Sequence, residues 1–259
     1  MILTNKKILV TRDQEQAQSF VKMIKAHGGT ALCFPTIAIQ APETWQNVDE
    51  KLHKLSSYDW IIFTSANSVR FLLKRLDDKS IQLPHIRIAA IGNKTNKILQ
   101  EFRYRAHVLP DNFTAASLLK TLKQQDLSST RILLPVSDIA RQELYDGLIK
   151  LGANVDRVVV YRNRLNEPDN KNEVINLLQN GKIDMLTFFS PSALVNFAKI
   201  VGTEMLETIQ RQNIAIAVIG PTTAQAAQEL GFTPQIEPVN STSENMIEAI
   251  LEYYKIVKE

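Results

Sequence analysis

One cysteine, Cys33, and four histidines are all the thiol and imidazole ligands that this 259-residue chain offers a metal. A lone cysteine excludes an intrachain disulfide, and His27, His53, His85 and His107 lie at helix ends or in loops without metal-ligand spacing. Cys33, between Leu32 and Phe34 in a strand-like stretch, reads as a small buried hydrophobe rather than a nucleophile. No run of about 20 apolar residues occurs, so no membrane span is expected. The opening MILTNKKILVTR enters a strand pattern without an apolar signal region, and a cytoplasmic location is expected. The net charge of +3 comes without a Lys/Arg tract, which excludes a nucleic-acid arm and mildly suits an anionic small molecule. Neither the dinucleotide G-x-G-x-x-G nor the phosphate loop G-x-x-x-x-G-K-[ST] is present. Gly28 and Gly29 follow a helix and read as its C-terminal cap. No Ser/His/Asp set stands out.

What the chain does have is a long internal repeat. DWIIFTSANSVRFLLKRL from Asp59 returns as DMLTFFSPSALVNFAKIV from Asp184, 125 residues later. The segment around Gly92 returns around Gly220, and VLPDNFTAASLLKTL returns as IEPVNSTSENMIEAI, both 128 residues on. The amino-terminal KKILVTRDQEQAQSF is echoed by TRILLPVSDIARQEL, with Gly28 answering Gly152 at 124 residues. A unit of half the chain is too long for a solenoid repeat and reads as two copies of one domain. Two like domains make a cleft, a common place for ligands.

Continuous apolar runs at Ile8–Val10, Trp60–Phe63, Ile88–Ile91, Ile132–Leu134, Val158–Val160 and Ile214–Ile219 read as strands buried on both faces. Each is followed by a stretch with helical apolar spacing, so the fold class is α/β, doubly wound, in duplicate. PTIAIQAPETW and YRNRLNEPDN occupy matching places in the two copies and are the linker candidates. Periodicity does not choose between contiguous and exchanged halves. Two linkers at matching positions favour exchange, with residues 1–36 joining 166–259, residues 41–158 folding between them, and 37–40 and 159–165 as linker strands.

Polar residues cluster where strands end and helices begin, the end of an open α/β sheet at which ligands bind. One pair of junctions carries Ser65, Asn67 and Ser68, answered by Ser190 and Ser192. The other carries Gly92, Lys94 and Thr95, answered by Gly220, Thr222 and Thr223. The first turn of a helix has free N–H groups and partial positive charge, which stabilise a carboxylate or phosphate. Ser65, Ser190, Thr95 and Thr222 either cap their helices or offer hydroxyls to a ligand, and four junctions in two matched pairs shift the balance toward a shared anion site. Arg12 closes the first strand and points to ligand binding or a structural ion pair. Tyr161 ends the run VVVY as a buried strand aromatic or as a phenol at the cleft mouth.

The order of ILVTR, FTSANSV, AIG with Thr95, ILLP with ARQEL, VVVYR, FFSPSAL and IGPTTAQAA resembles the uroporphyrinogen III synthase family over nearly the whole chain. The resemblance implies two α/β domains joined by a two-stranded β linker, the first built from both chain termini. It implies a monomer that cyclises hydroxymethylbilane, with loss of water and inversion of ring D through a spiro intermediate, and needs no metal or organic cofactor. Eight substrate carboxylates suit arrayed helix N-termini. Tyr161 matches the family's candidate tyrosine, as proton donor or orienting hydroxyl. Ser65, Asn67, Ser68, Gly92, Thr95, Ser190, Ser192, Gly220, Thr222 and Thr223 fall on the carboxylates, with Arg12 and Lys94 as weaker candidates for charge pairing. The chain departs from the family pattern at Asp13, at Asn163 and in the glycine-free loop PVSD. A non-catalytic two-lobed small-molecule sensor is the alternative.

Overall fold

A computed structural model describes residues 1–256 of the chain, apart from the side chains of residues 14 and 15. Among the described residues the strands are β1 (Lys7–Val10), β2 (Thr30–Cys33), β3 (Ile37–Gln40), β4 (Trp60–Phe63), β5 (Arg87–Ala90), β6 (Arg131–Ser137), β7 (Asn154–Leu165), β8 (Met185–Phe188) and β9 (Ala215–Val218). The helices are α1 (Gln14–Ala26), α2 (Gln46–Leu52), α3 (Ala66–Asp78), α4 (Asn93–Glu101), α5 (Ala115–Leu122), α6 (Glu143–Lys150), α7 (Lys171–Gln179), α8 (Pro191–Val201), α9 (Thr203–Arg211), α10 (Pro221–Glu229) and α11 (Ser243–Ile256). The chain forms two compact units, one of Met1–Ala38 with Arg164–Glu259 and one of Ile39–Asn163, called here unit 1 and unit 2. None of the described helices is long and apolar enough to cross a membrane.

Unit 1 contains a sheet in the order β2-β1-β8-β9, its pairs all parallel. The five-stranded sheet runs β3-β7-β6-β4-β5, with parallel pairing of β7 to β6, β6 to β4 and β4 to β5. The opening strand of each sequence copy therefore pairs within the sheet that holds the other copy's middle strands: β1 lies beside β8, and β6 beside β4. Matched carboxylates fix both joints. Asp184 accepts the Lys7 N–H at 2.8 Å, and Asp59 accepts the Arg131 N–H at 2.8 Å.

Strands β4, β8 and β9 are buried at every residue, as two-sided cover by helices requires. Helix α3 shows how the cover is made. Val69, Leu72, Leu73 and Leu76 recur at helical spacing and all lie in the core cluster with Ile61 and Phe63. Each such side chain contributes roughly 1.5–3 kcal/mol by leaving water. The expected strand Val158–Val160 extends to twelve residues as β7, because the charged residues around it have partners: Asp156 pairs with Lys51 at 2.7 Å and Arg162 with Glu43. Cys33 ends β2 half-buried rather than fully buried, and burial pushes its thiol pKa up. His107 is exposed yet engaged, its Nδ1 accepting the Ile88 N–H at 3.0 Å. In the other copy Gln235 takes the same place, its Oε1 accepting the Ile216 N–H at 2.7 Å.

Candidate active site

The carboxyl ends of the unit 2 strands surround a cavity of about 720 Å³. Thr64 and Ser65 reach it from the end of β4, Ile91 from β5, Ser137 from β6 and Tyr161 from β7. Ser65 has extended backbone (φ −154°) and caps α3, its Oγ accepting the Ser68 N–H at 3.1 Å. Ser68 returns the contact, its Oγ accepting the Ser65 N–H at 3.3 Å and donating to the Ser65 carbonyl at 2.7 Å. This reciprocal box explains why a serine stands at each position and why Ser68 is fully buried. It also fixes the Ser65 rotamer, which places Ser65 Oγ 3.1 Å from the hydroxyl of Tyr161.

Tyr161 reaches that partner through a break in the β6/β7 ladder. Val136 pairs with Val159, but the next residue, Ser137, pairs with Tyr161, so Val160 is the extra residue of a bulge. Strict alternation would send Val158 and Val160 to one face and Tyr161 to the other. With the bulge, all three lie in one core cluster. The Tyr161 ring is only 8% exposed and stacks on Phe71 of α3 at 5.8 Å and 25°, leaving the hydroxyl on the cavity wall.

The other junction of unit 2 is built differently. The cap of α4 is Gly92, at φ +93°, where a side chain would be strained, and it gives no side-chain cap to the first turn. Thr95 is the third helical residue rather than the cap; it is buried, and its Oγ1 donates to the Ile91 carbonyl at 2.9 Å. Asn67 is half-buried at the second position of α3, and Lys94 is exposed at the second position of α4.

Unit 1 repeats the scheme with other endings. Ser190 caps α8, its Oγ accepting the Ala193 N–H at 3.1 Å and lying 3.1 Å from Ser192 Oγ. Gly220 caps α10 with extended backbone, and the reason for glycine is space: a Cβ there would fall 2.6 Å from Ser241 Oγ. Thr222 is exposed in the first turn of α10. Thr223 beside it is 1% exposed, and its Oγ1 has no hydrogen-bond partner among the described residues, unlike Thr95 at the matching place. Arg12 follows β1 and hydrogen-bonds Gln16 through Nε and a terminal nitrogen (3.3 and 3.1 Å) and Ser243 at 3.1 Å. Its guanidinium lies 4.8 Å from the Phe189 ring centre. Burial pushes its pKa below the ordinary arginine value, against the opposing charges of Asp13 and Glu244.

Each sheet thus carries its polar residues at its own carboxyl edge. Of the candidate residues read from the sequence, Ser65 and Tyr161 line the unit 2 cavity; among the lining residues the sequence reading omits are Phe113, Ser137, Arg141 and Glu143.

The family profile described as uroporphyrinogen-III synthase HemD matches residues 18–248. A putative uroporphyrinogen-III synthase of Methanocaldococcus jannaschii is 33% identical over 259 residues, covering 98% of this chain and 99% of that protein. The uroporphyrinogen-III synthase of Chlorobaculum parvum is 29% identical, with 96% of this chain and 100% of that one covered. The crystal structure of uroporphyrinogen-III synthetase from Helicobacter pylori 26695 shares the fold, with a TM-score of 0.64 at 20% identity over 96% of this chain and 99% of the other. A profile match over most of the residues, on parallel sheets that gather hydroxyls and helix N-termini at their carboxyl edges, places this chain in the uroporphyrinogen-III synthase family.

Proposed function

We propose that Tyr161, positioned by Ser65, assists departure of the hydroxyl group as this chain converts hydroxymethylbilane to uroporphyrinogen III. Family membership gives the activity itself, that of a cyclising lyase of tetrapyrrole biosynthesis. The observation supporting the assignment of Tyr161 is its 3.1 Å hydrogen bond to Ser65 Oγ on the wall of the strand-end cavity.

Ser65 Oγ already accepts one N–H, from Ser68, and has one hydrogen to give. Given to Tyr161, that hydrogen leaves the phenolic proton free for substrate and stabilises the phenolate that forms. The C–O bond of the ring A hydroxymethyl group breaks, the phenolic proton moves to the departing oxygen, and water leaves. The pyrrole of ring A, keeping its N–H, is left as an electrophilic azafulvenium cation. The substituted carbon of ring D attacks it to give the spiro intermediate, which fragments and recloses with ring D inverted. The proton shed on rearomatisation returns to the phenolate, so one substrate gives one macrocycle and one water. General acid help of this kind typically contributes about 10²–10⁴-fold.

The remaining residues hold carboxylates. The uncapped first turn of α4, behind Gly92, presents N–H groups to anions, and that of α10, which opens with Pro221, presents the Thr222 N–H. Asn67, Ser190, Ser192 and Thr222 add hydroxyl or amide donors, the buried Thr223 hydroxyl keeps a hydrogen that no described residue accepts, and Lys94 and Arg12 add positive charge. Ser68 and Thr95 are buried and act from behind, Ser68 by fixing Ser65 and Thr95 by bonding the Ile91 carbonyl. The working species is taken to be a cytoplasmic monomer acting on a free small molecule, with no nucleic-acid or membrane partner, since one chain holds both copies of the repeat. A sensor without chemistry is not favoured, because the relatives in this family are named as enzymes.

Hydroxymethylbilane closes without an enzyme to the uninverted isomer I. Freshly generated hydroxymethylbilane supplied to the protein, followed by oxidation and separation of the uroporphyrin isomers, gives mainly isomer III on this reading. A product mixture dominated by isomer I, as without protein, contradicts it.

A further inference from the structure

The cavity beside Tyr161 is not a neutral copy of the repeat, and three of its departures from the other copy suit one ligand chemistry. Tyr161 corresponds to Ile37 and Arg141 to Ala17, each 124 residues earlier, while Phe113 corresponds to Ser241, 128 residues later. These three residues line this one cavity, together with Glu143, whose counterpart is Ser19. Ala17 is fully buried, so its position serves packing in unit 1, whereas Arg141 is exposed on the cavity wall of unit 2.

Phe113 departs from ordinary packing as well. It immediately precedes Thr114, the cap of α5, whose Oγ1 accepts the Ser117 N–H at 3.1 Å. An apolar residue at that place commonly folds down onto the fourth helical residue as a hydrophobic staple. That residue, Leu118, is fully buried in the core, yet Phe113 is 51% exposed and faces the cavity beside Gly92. Gly92 neighbours Phe113, since a Cβ there would make ordinary contact with it at 3.8 Å. The wall carries two charged residues, Arg141 and Glu143. Glu143 opens α6, where the helix N-terminus favours an anion. Arg141 has no ion-pair or hydrogen-bond partner among the described residues.

We infer that Phe113 and Arg141 form a subsite for one carboxylated pyrrole ring of the substrate, Phe113 taking the ring face and Arg141 a carboxylate. The inference rests on the uroporphyrinogen-III synthase reading and adds two specificity residues to it. An aromatic face suits the flat apolar body of a pyrrole, and guanidinium suits a carboxylate through paired N–H donors. Glu143, an acceptor, is placed for a pyrrole N–H and opposes a carboxylate at its own position, which sets the orientation of the ring.

Both side chains are exposed, so their replacement leaves the fold intact. Arg141→Gln and Phe113→Leu are each expected to raise KM for hydroxymethylbilane about 5- to 10-fold while kcat stays within about threefold, the pattern of binding energy shared by ground and transition states. Arg141→Lys and Phe113→Tyr restore KM to within about threefold of wild type. Raising ionic strength lifts KM of the wild type more steeply than that of Arg141→Gln. A KM within twofold of wild type for either Arg141→Gln or Phe113→Leu overturns the subsite. The wild-type control in the same assay separates the two levels: failure to make isomer III counts against the function, whereas normal isomer III with unchanged variants counts against the subsite alone.

Discussion

Ser65 Oγ lies 3.1 Å from Tyr161 Oη, and the same Ser65 Oγ caps α3 by accepting the Ser68 N–H. One hydroxyl thus ties a helix N-terminus to a phenol on the cavity wall, and a local rule of helix capping positions a reactive group. Ser190, the matching residue, caps α8 in the same way but lies beside Ser192 rather than a tyrosine.

Ser65→Ala removes both duties. Loss of the cap is expected to cost about 1 kcal/mol of stability, read from a denaturant midpoint, and kcat falls because Tyr161 loses its partner. If Ser65 acts through Tyr161, the double variant Ser65→Ala/Tyr161→Phe has a kcat within about twofold of Tyr161→Phe alone. Multiplying losses in the double variant would show that Ser65 acts independently.

Thr223→Val tests a buried hydroxyl that spends no hydrogen bond on the fold. Replacing an unpartnered hydroxyl with a methyl of the same shape is neutral or stabilising by up to about 1 kcal/mol. KM for hydroxymethylbilane rises at least about threefold if substrate is the missing partner. Clear destabilisation in thermal melts would instead assign the hydroxyl to the fold.

Gly147→Ala should destabilise although alanine is the better helix former by about 1 kcal/mol. A Cβ on this α6 residue would lie 2.3, 2.8 and 3.1 Å from three atoms of the Leu119 side chain, and no rotation of one terminal methyl relieves all three. Overpacking of this kind costs about 1–3 kcal/mol, so a lowered urea midpoint is expected and a raised one contradicts the packing of α5 on α6.

Asp49 binds Arg75 through both carboxylate oxygens, at 2.8 and 2.6 Å, and Lys79 at 3.1 Å, joining α2 to α3. The Arg75 hydrogen bond holds its pKa below the ordinary aspartate value, against desolvation. A carboxyl depressed in the folded state contributes stability that is full above its unfolded pKa, about 3.9, and is lost as pH falls through the lower folded value. Asp49→Asn should therefore cost about 1–2 kcal/mol at neutral pH and shrink that cost below about pH 4. Denaturant melts of both proteins across that range check it; a pH-independent difference contradicts it.

How far the sequence carries depends on what each residue does alone. Trp60–Phe63 prints an unbroken apolar run because that strand is covered on both faces, so its limits are legible to the residue. Ser65 and Ser190 are legible as candidate caps because a serine at a strand-helix junction can accept a first-turn N–H, although capping and ligand contact leave the same mark in sequence. Thr95 and Thr222 are not caps: the glycine before each helix takes that place, which composition does not separate from a loop glycine. The run Val158–Val160 marks only part of strand β7, because Asp156, Arg162 and Arg164 interrupt the apolar pattern over the rest. The bulge at Val160 leaves no mark in VVVYR, since every residue there fits either face. Phe113 and Arg141 look like loop and helix-start residues until their counterparts Ser241 and Ala17 are set beside them.

The most direct test of the account is kcat of Tyr161→Phe, measured with hydroxymethylbilane beside a thermal melt of the same preparation. The ring keeps its stack on Phe71 and its place in the core, so the melting temperature should stay within about 2–4 °C of wild type, the shift expected for about 1 kcal/mol in a chain of this size. The account predicts a kcat lower by at least about 10-fold, approaching the range of a lost general acid. Wild-type kcat in a folded Tyr161→Phe protein would contradict it.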